Sequence, residues 1–108
     1  MLTEKLTEFS FANYTLNVKI RGDIDHHSAK KVRARIDEAI SSKKPHFIVL
    51  DLSCVDFMDS SGLGLILGRY SYATDMGARL ILYKPSGRIR KILDMAGIER
   101  IIEIKGDD

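Results

Sequence analysis

The sequence predicts an α/β fold: one mixed, mostly parallel sheet, opened by an antiparallel hairpin and joined by amphipathic helices, in the order ββαβαβαβ. Three observations predict it. Apolar and polar residues alternate near the N-terminus, uninterrupted apolar runs of strand length follow, and segments with helical spacing separate those runs. Strands joined through helices imply right-handed crossovers and parallel neighbours, and the opening hairpin makes the sheet mixed.

From Thr15 to Arg21, Leu16, Val18 and Ile20 fall on one side and Asn17, Lys19 and Arg21 on the other, the pattern of a half-buried strand. Phe9 and Phe11 alternate in the same way, and Ala12-Asn13-Tyr14 is the expected turn between the two strands. Gly22-Asp23-Ile24-Asp25 is expected to break the second strand, with Asp25 capping a helix whose inward residues are Ala29, Val32, Ile36, Ala39 and Ile40. That helix should stop near Ser42, ahead of Pro45. Phe47-Ile48-Val49-Leu50, extended by Leu52, reads as a central parallel strand covered on both faces, followed by a short loop. Leu63, Ile66, Leu67, Tyr70 and Ala73 mark a second helix ending near Gly77. Leu80 to Tyr83 is a further buried strand. Ser86 caps a third helix that turns Ile89, Ile92, Leu93 and Ala96 inward and ends at Gly97. Ile101, Ile102 and Ile104 close the sheet.

Composition narrows the function. With 108 residues, 44% hydrophobic and 30% charged, the chain is expected to form one folded domain, 1–108, with a real core. Lys and Arg total 17 against 15 for Asp and Glu, a net +2 that is too small for nucleic-acid binding through the overall field. Cys54 is the single cysteine, so no internal disulfide forms, and no zinc-type spacing surrounds it. MLTEKLTEFSF lacks the pattern of a secretory signal, and no apolar run reaches the roughly 20 residues of a membrane span. A cytoplasmic protein is expected, with no membrane and no direct nucleic-acid partner.

The chemistry concentrates in Phe57-Met58-Asp59-Ser60-Ser61-Gly62-Leu63-Gly64, where a strand hands over to a helix. Unpaired N–H groups and the helix dipole favour a phosphate there by roughly 0.3–1 kcal/mol. Ser60 or Ser61 can therefore be phosphorylated without unfolding the chain, gaining about −1.5 to −2 charges. Ordinary helix capping writes the same Asp-Ser-Ser, and local chemistry alone favours it. The expected inward stripe leaves Gly64, Leu65, Gly68 and Tyr72 outward. Each interior glycine costs a helix about 0.8–1 kcal/mol against alanine. Two of them beside an outward Leu65 offer a smooth surface to another protein, or else allow tight packing on the helix's own sheet; the pattern supports both equally.

Asp25-His26-His27, Met58-Asp59-Ser60-Ser61-Gly62-Leu63-Gly64 and Leu67-Gly68-Arg69-Tyr70 together resemble the bacterial anti-sigma-factor antagonists of the STAS domain family, most of all their sporulation type. The resemblance covers nearly the whole chain, and the expected element order is that of a STAS domain. It implies a partner-switching cycle in which the unphosphorylated antagonist binds an anti-sigma factor and frees the sigma factor. The anti-sigma factor, also a serine kinase, then phosphorylates the antagonist, and a phosphoserine phosphatase reverses the step. The family's phosphorylated serine corresponds to Ser60. Asp59, Ser61, Gly62 and Gly64 lie in the same motif, Asp25 matches a docking-surface aspartate, and Leu65 and Gly68 extend the expected partner surface. Members usually continue into another helix after the last strand, which this sequence, ending Lys105-Gly106-Asp107-Asp108, is expected to lack or to shorten.

Other chemistries fit less well. Gly62, Gly64 and Gly68 are spaced G-x-G-x-x-x-G, which is not the dinucleotide fingerprint, and no Walker ending is present. Neither Ser60 nor Ser61 sits in a G-x-S-x-G elbow with His26 or His27 as base. Asp23, Asp25, His26 and His27 share one loop, where ligands rarely converge on a single ion. The basic runs Lys30, Lys31, Arg33, Arg35 and Arg88, Arg90, Lys91 read as solvated helix faces, with an acidic partner surface as the sharper alternative. A regulatory binding protein without cofactor or metal is expected, not an enzyme. Its alternatives are a general-stress-type antagonist and, from another class, a small phosphate- or nucleotide-binding α/β domain.

Overall fold

A computed structural model describes residues 6–106. Its elements are β1 (Thr7–Ala12), β2 (Thr15–Ile24), α1 (His26–Lys43), β3 (Phe47–Met58), α2 (Ser60–Asp75), β4 (Arg79–Tyr83), α3 (Gly87–Met95), a 3-10 turn (Ile98–Arg100) and β5 (Glu103–Lys105). The order is ββαβαβαβ, as expected. One sheet has the spatial order β1-β2-β3-β4-β5, with β1 antiparallel to β2 and all other neighbours parallel. The hairpin turns on two residues, Asn13 and Tyr14, both left-handed (φ 52 and 59). That geometry matches the twist of the strands it joins.

Because the parallel strands follow one another across the sheet, right-handed crossovers place α1, α2 and α3 on a single face. The burial pattern agrees. Leu16, Ile48 and Leu80 are neighbours across the sheet and all buried, as are Val18, Leu50 and Leu82. The residues between them on β3, Val49 and Asp51, are only half-buried. The expectation that β3 is covered on both faces is therefore wrong. A four-residue apolar run can have period two in burial when its outward members lie on an open but crowded sheet face.

Two strand ends also differ from expectation. β2 does not break at Gly22 but bulges there (φ 83) and continues to Ile24, while β3 runs past Leu52 to Met58. Buried Val55 and Met58 anchor the extension, which the polar Ser53 and Asp56 conceal in the sequence. At the C-terminal edge, β5 holds Ile104 but not Ile101, which is exposed, or Ile102, which is buried just before the strand. Residues 1–5, where the stretch expected not to be a secretory signal begins, and 107–108, at the end where a further helix is expected to be missing or short, lie outside the described residues.

Candidate functional site

The site follows from the lengthened strands. β2 and β3 run side by side in parallel and finish together, Ile24 opposite Met58. The next residue in each case is an aspartate, and each aspartate caps a helix: Asp25 for α1 and Asp59 for α2. A backbone bond from Asp59 N to Ile24 O (3.3 Å) ties the two starts to each other. Two helix N-termini and two carboxylates thus share one pole of the molecule.

The caps are made differently. Asp25 Oδ1 accepts from the N–H groups of His27 and Ser28 (both 2.9 Å), and Ser28 Oγ accepts from Asp25 N (3.0 Å), a reciprocal capping box. The Ser28 backbone donor, helped by its hydroxyl and by the His27 N–H, holds the Asp25 carboxyl below the ordinary aspartate value. Asp59 Oδ1 accepts only from Ser61 N (2.8 Å) among the bonds that its side chain makes in the described residues. Ser60, the first residue of α2, is exposed; Ser61 is half-buried. Phe57, two residues before the cap, is an exposed aromatic at 46%.

The three glycines of α2 play different parts. Gly62 is buried, and a Cβ there would lie 2.6 Å from Met58 Cβ. Its smallness serves the fold. Around Gly64 and Gly68 a Cβ would meet nothing within 4 Å. Tight packing against the helix's own sheet is thus not the reason these two positions are glycine.

The inward stripe of α2 is rotated from the one expected. Leu65, expected outward, is 4% exposed, and Leu67, expected inward, is 38% exposed. The buried positions are Gly62, Leu65, Ile66, Arg69 and Ala73, because α2 packs on α1 as well as on the sheet and its covered face lies between the two. Arg69 is 6% exposed on that stripe. Its Nε lies 2.8 Å from Asp37 Oδ1 of α1, close enough for an ion pair, yet the two atoms are not aligned as a hydrogen bond. Burial pushes the Arg69 guanidinium below the ordinary arginine value, with Asp37 opposing. The sequence signal for Arg69 was its place three and four residues from Ile66, Leu65 and Ala73; its charge hid it.

Ser61, Gly64, Leu65 and Gly68 lie along a groove of about 410 Å³ between α1 and α2, with Leu65 in its wall from below. Of the expected site residues, the structure brings Asp25, Asp59, Ser60 and Ser61 to one pole and runs Gly64, Leu65 and Gly68 away from it; Gly62 is inside. No helix among the described residues is long and apolar enough to cross a membrane.

Comparison with known proteins agrees with this architecture. The STAS domain model matches residues 9–107. An anti-sigma F factor antagonist of Paenibacillus polymyxa is 40% identical over 82% of this chain and 76% of its own. An anti-sigma-B factor antagonist of Listeria monocytogenes is 31% identical over 83% of this chain and 78% of its own. The Bacillus cell fate determinant SpoIIAA in its phosphorylated form superposes with a TM-score of 0.71 at 29% identity, covering 94% of this chain and 92% of that one. With its order of strands and helices, its antiparallel first hairpin and this extent of sequence likeness, the chain belongs to the STAS domain family.

Proposed function

We propose that this chain is an anti-sigma-factor antagonist of the sporulation type, a cytoplasmic regulatory binding protein of one domain (1–108) and not an enzyme. Its unphosphorylated form binds an anti-sigma factor with serine kinase activity and releases the sigma factor. Phosphorylation of Ser60 ends the contact, and a phosphoserine phosphatase restores it. The observation that carries this reading is Ser60 itself: an exposed hydroxyl on the first residue of α2, at the pole where Asp25 and Asp59 meet.

The energetics favour a switch of binding over a switch of fold. At the α2 N-terminus a phosphate gains about 0.3–1 kcal/mol from the helix dipole, so α2 stays formed. Against a docked partner the same group adds about −1.5 to −2 charges beside two aspartates. Burying it unpaired costs more than the helix returns, and every 1.4 kcal/mol or so lost is about tenfold in affinity. Asp25, Asp59, Ser61, Gly64 and Gly68 make the remainder of the proposed contact surface, with Leu65 reached only through the groove and Gly62 acting from inside. Likeness to an anti-sigma-B factor antagonist supports a second reading, a general-stress antagonist using the same surface.

The test is mass spectrometry after incubation with ATP and the anti-sigma F factor of Paenibacillus polymyxa. One phosphate on Ser60, absent from Ser60→Ala, is expected, together with loss of the complex on phosphorylation. Phosphate on Ser61 moves the site by one residue. Neither phosphate nor binding sinks the reading and returns the chain to the phosphate-binding alternative.

A further inference from the structure

We infer that the groove between α1 and α2 is a docking site for an acidic helical segment of the partner, with Lys30 and Arg33 as its recognition residues and the buried Arg69 holding Asp37 beneath them. The inference rests on the antagonist reading for the partner's identity, but the chemistry of the groove stands apart from it. Four basic residues line it, His26, Lys30, Arg33 and Arg69, and no acidic side chain does. Lys30 and Arg33 are exposed, and alone they would read as a solvated helix face.

Arg69 changes that reading. It lines the groove while only 6% exposed. The carboxylate behind it is shared: Asp37 Oδ1 is 2.8 Å from Arg69 Nε, and Asp37 Oδ2 is 3.7 Å from Arg33 Nε. One carboxylate thus faces two guanidiniums, and the contact with Arg69 lacks hydrogen-bond alignment. Arg69 takes up the Asp37 carboxylate beneath the groove, so the positive charge left over sits on Lys30 and on Arg33, whose side chain is 67% exposed, and an incoming acidic segment is drawn and oriented by those two groups.

The shape admits a helix. Gly64 and Gly68 stand one turn apart with open space in place of side chains, so a partner backbone can approach closely over them. Leu65 gives one apolar contact at the wall. Ser61 lies at the head of the groove, next to Ser60. A phosphate on Ser60 therefore meets the acidic segment at the point of entry, which gives the switch a repulsive element in addition to its steric one.

Isothermal titration of the full chain with the anti-sigma F factor of Paenibacillus polymyxa tests the groove. The double reversal Lys30→Glu/Arg33→Glu is expected to weaken binding by about tenfold or more and to flatten its salt dependence. The reversal Arg88→Glu/Lys91→Glu on α3 is expected to change it by less than about twofold. Equal affinity of wild type and the Lys30/Arg33 variant, with binding still blocked by Ser60 phosphorylation, overturns the groove and leaves the switch intact. If wild type does not bind at all, the antagonist reading fails and a second arm decides the groove. In that arm, an amidated helical peptide of repeated Glu-Ala-Leu-Glu units is titrated into labelled protein. Amide shifts at Gly64 and Gly68 that vanish in the double reversal support the groove; their absence in wild type overturns it. Circular dichroism of each variant checks that the exposed substitutions leave the fold in place.

Discussion

The two helix starts at the pole are a natural experiment. Both follow a parallel strand, both are capped by aspartate, and they are adjacent. At α1 the third helical residue is Ser28, which returns a bond to the cap; at α2 it is Gly62, which has no side chain to return. α1 contains no glycine over 18 residues, whereas α2 carries Gly62, Gly64 and Gly68 within its first nine of 16. The first helix start is closed by its own side chains. The second has no such return bond: Asp59 holds Ser61 N through Oδ1 and Gly62 N through its carbonyl, while the leading hydroxyl, on Ser60, stays exposed to a kinase or a partner.

The largest effect that would break this comparison is at Gly62. Gly62→Ala forces a Cβ to within 2.6 Å of Met58 Cβ, an atom that cannot swing away. Overpacking of this kind is expected to cost about 2 kcal/mol or more, read as a fall in the urea midpoint without a change in slope. A stability equal to wild type would show that smallness at Gly62 has no packing role. Next in size is Asp59→Ala, which removes the cap of α2 and is expected to cost about 1 kcal/mol by the same measurement. Because Ser61 N loses its acceptor, phosphorylation of Ser60 should partly restore stability in this variant, since a phosphate can take over the free N–H groups.

Gly64 and Gly68 sharpen the comparison from the other side. Each is expected to gain about 0.8–1 kcal/mol on substitution by alanine, since the new methyl meets open space. The same substitutions should weaken binding to the anti-sigma factor. Stability and affinity moving in opposite directions is the signature of a surface kept smooth for a partner. A gain in stability with unchanged binding would leave those glycines without a role in docking.

Much of this was legible in the sequence for physical reasons. The order of elements shows because burial imposes period two on strands and a 3.6 period on helices, and Asp25, Asp59 and Ser86 mark helix starts because short polar side chains reach the free N–H groups. What stayed hidden depends on neighbours. Whether Leu65 or Leu67 turns inward is decided by α1, which packs on one flank of α2 and draws Leu65 under cover. Arg69 is buried because Asp37, distant in sequence, lies opposite it. The C-terminal extension of β3 is obscured by Ser53 and Asp56, which the strand tolerates because Val55 and Met58 hold it to the core. Asp25, Asp59 and the paired serines were visible as a candidate site; that strand pairing would bring the two aspartates to one pole was not.

The smallest effect separates the two caps by pH. Asp25 has its carboxyl held below the ordinary aspartate value, chiefly by the Ser28 N–H. A group whose folded value is lowered adds stability above its unfolded value and loses it as pH falls through the folded one. The contribution of Asp25 is therefore complete at neutral pH and disappears on acidification below the ordinary aspartate range. Asp25→Asn keeps an acceptor for the N–H groups but cannot titrate. Urea midpoints compared between wild type and Asp25→Asn should consequently differ near neutrality, with wild type the more stable, and converge at the acid end. Parallel curves would mean that the capping box draws nothing from the charge of Asp25, and that the contrast between the closed start of α1 and the open start of α2 is one of hydrogen-bond geometry alone.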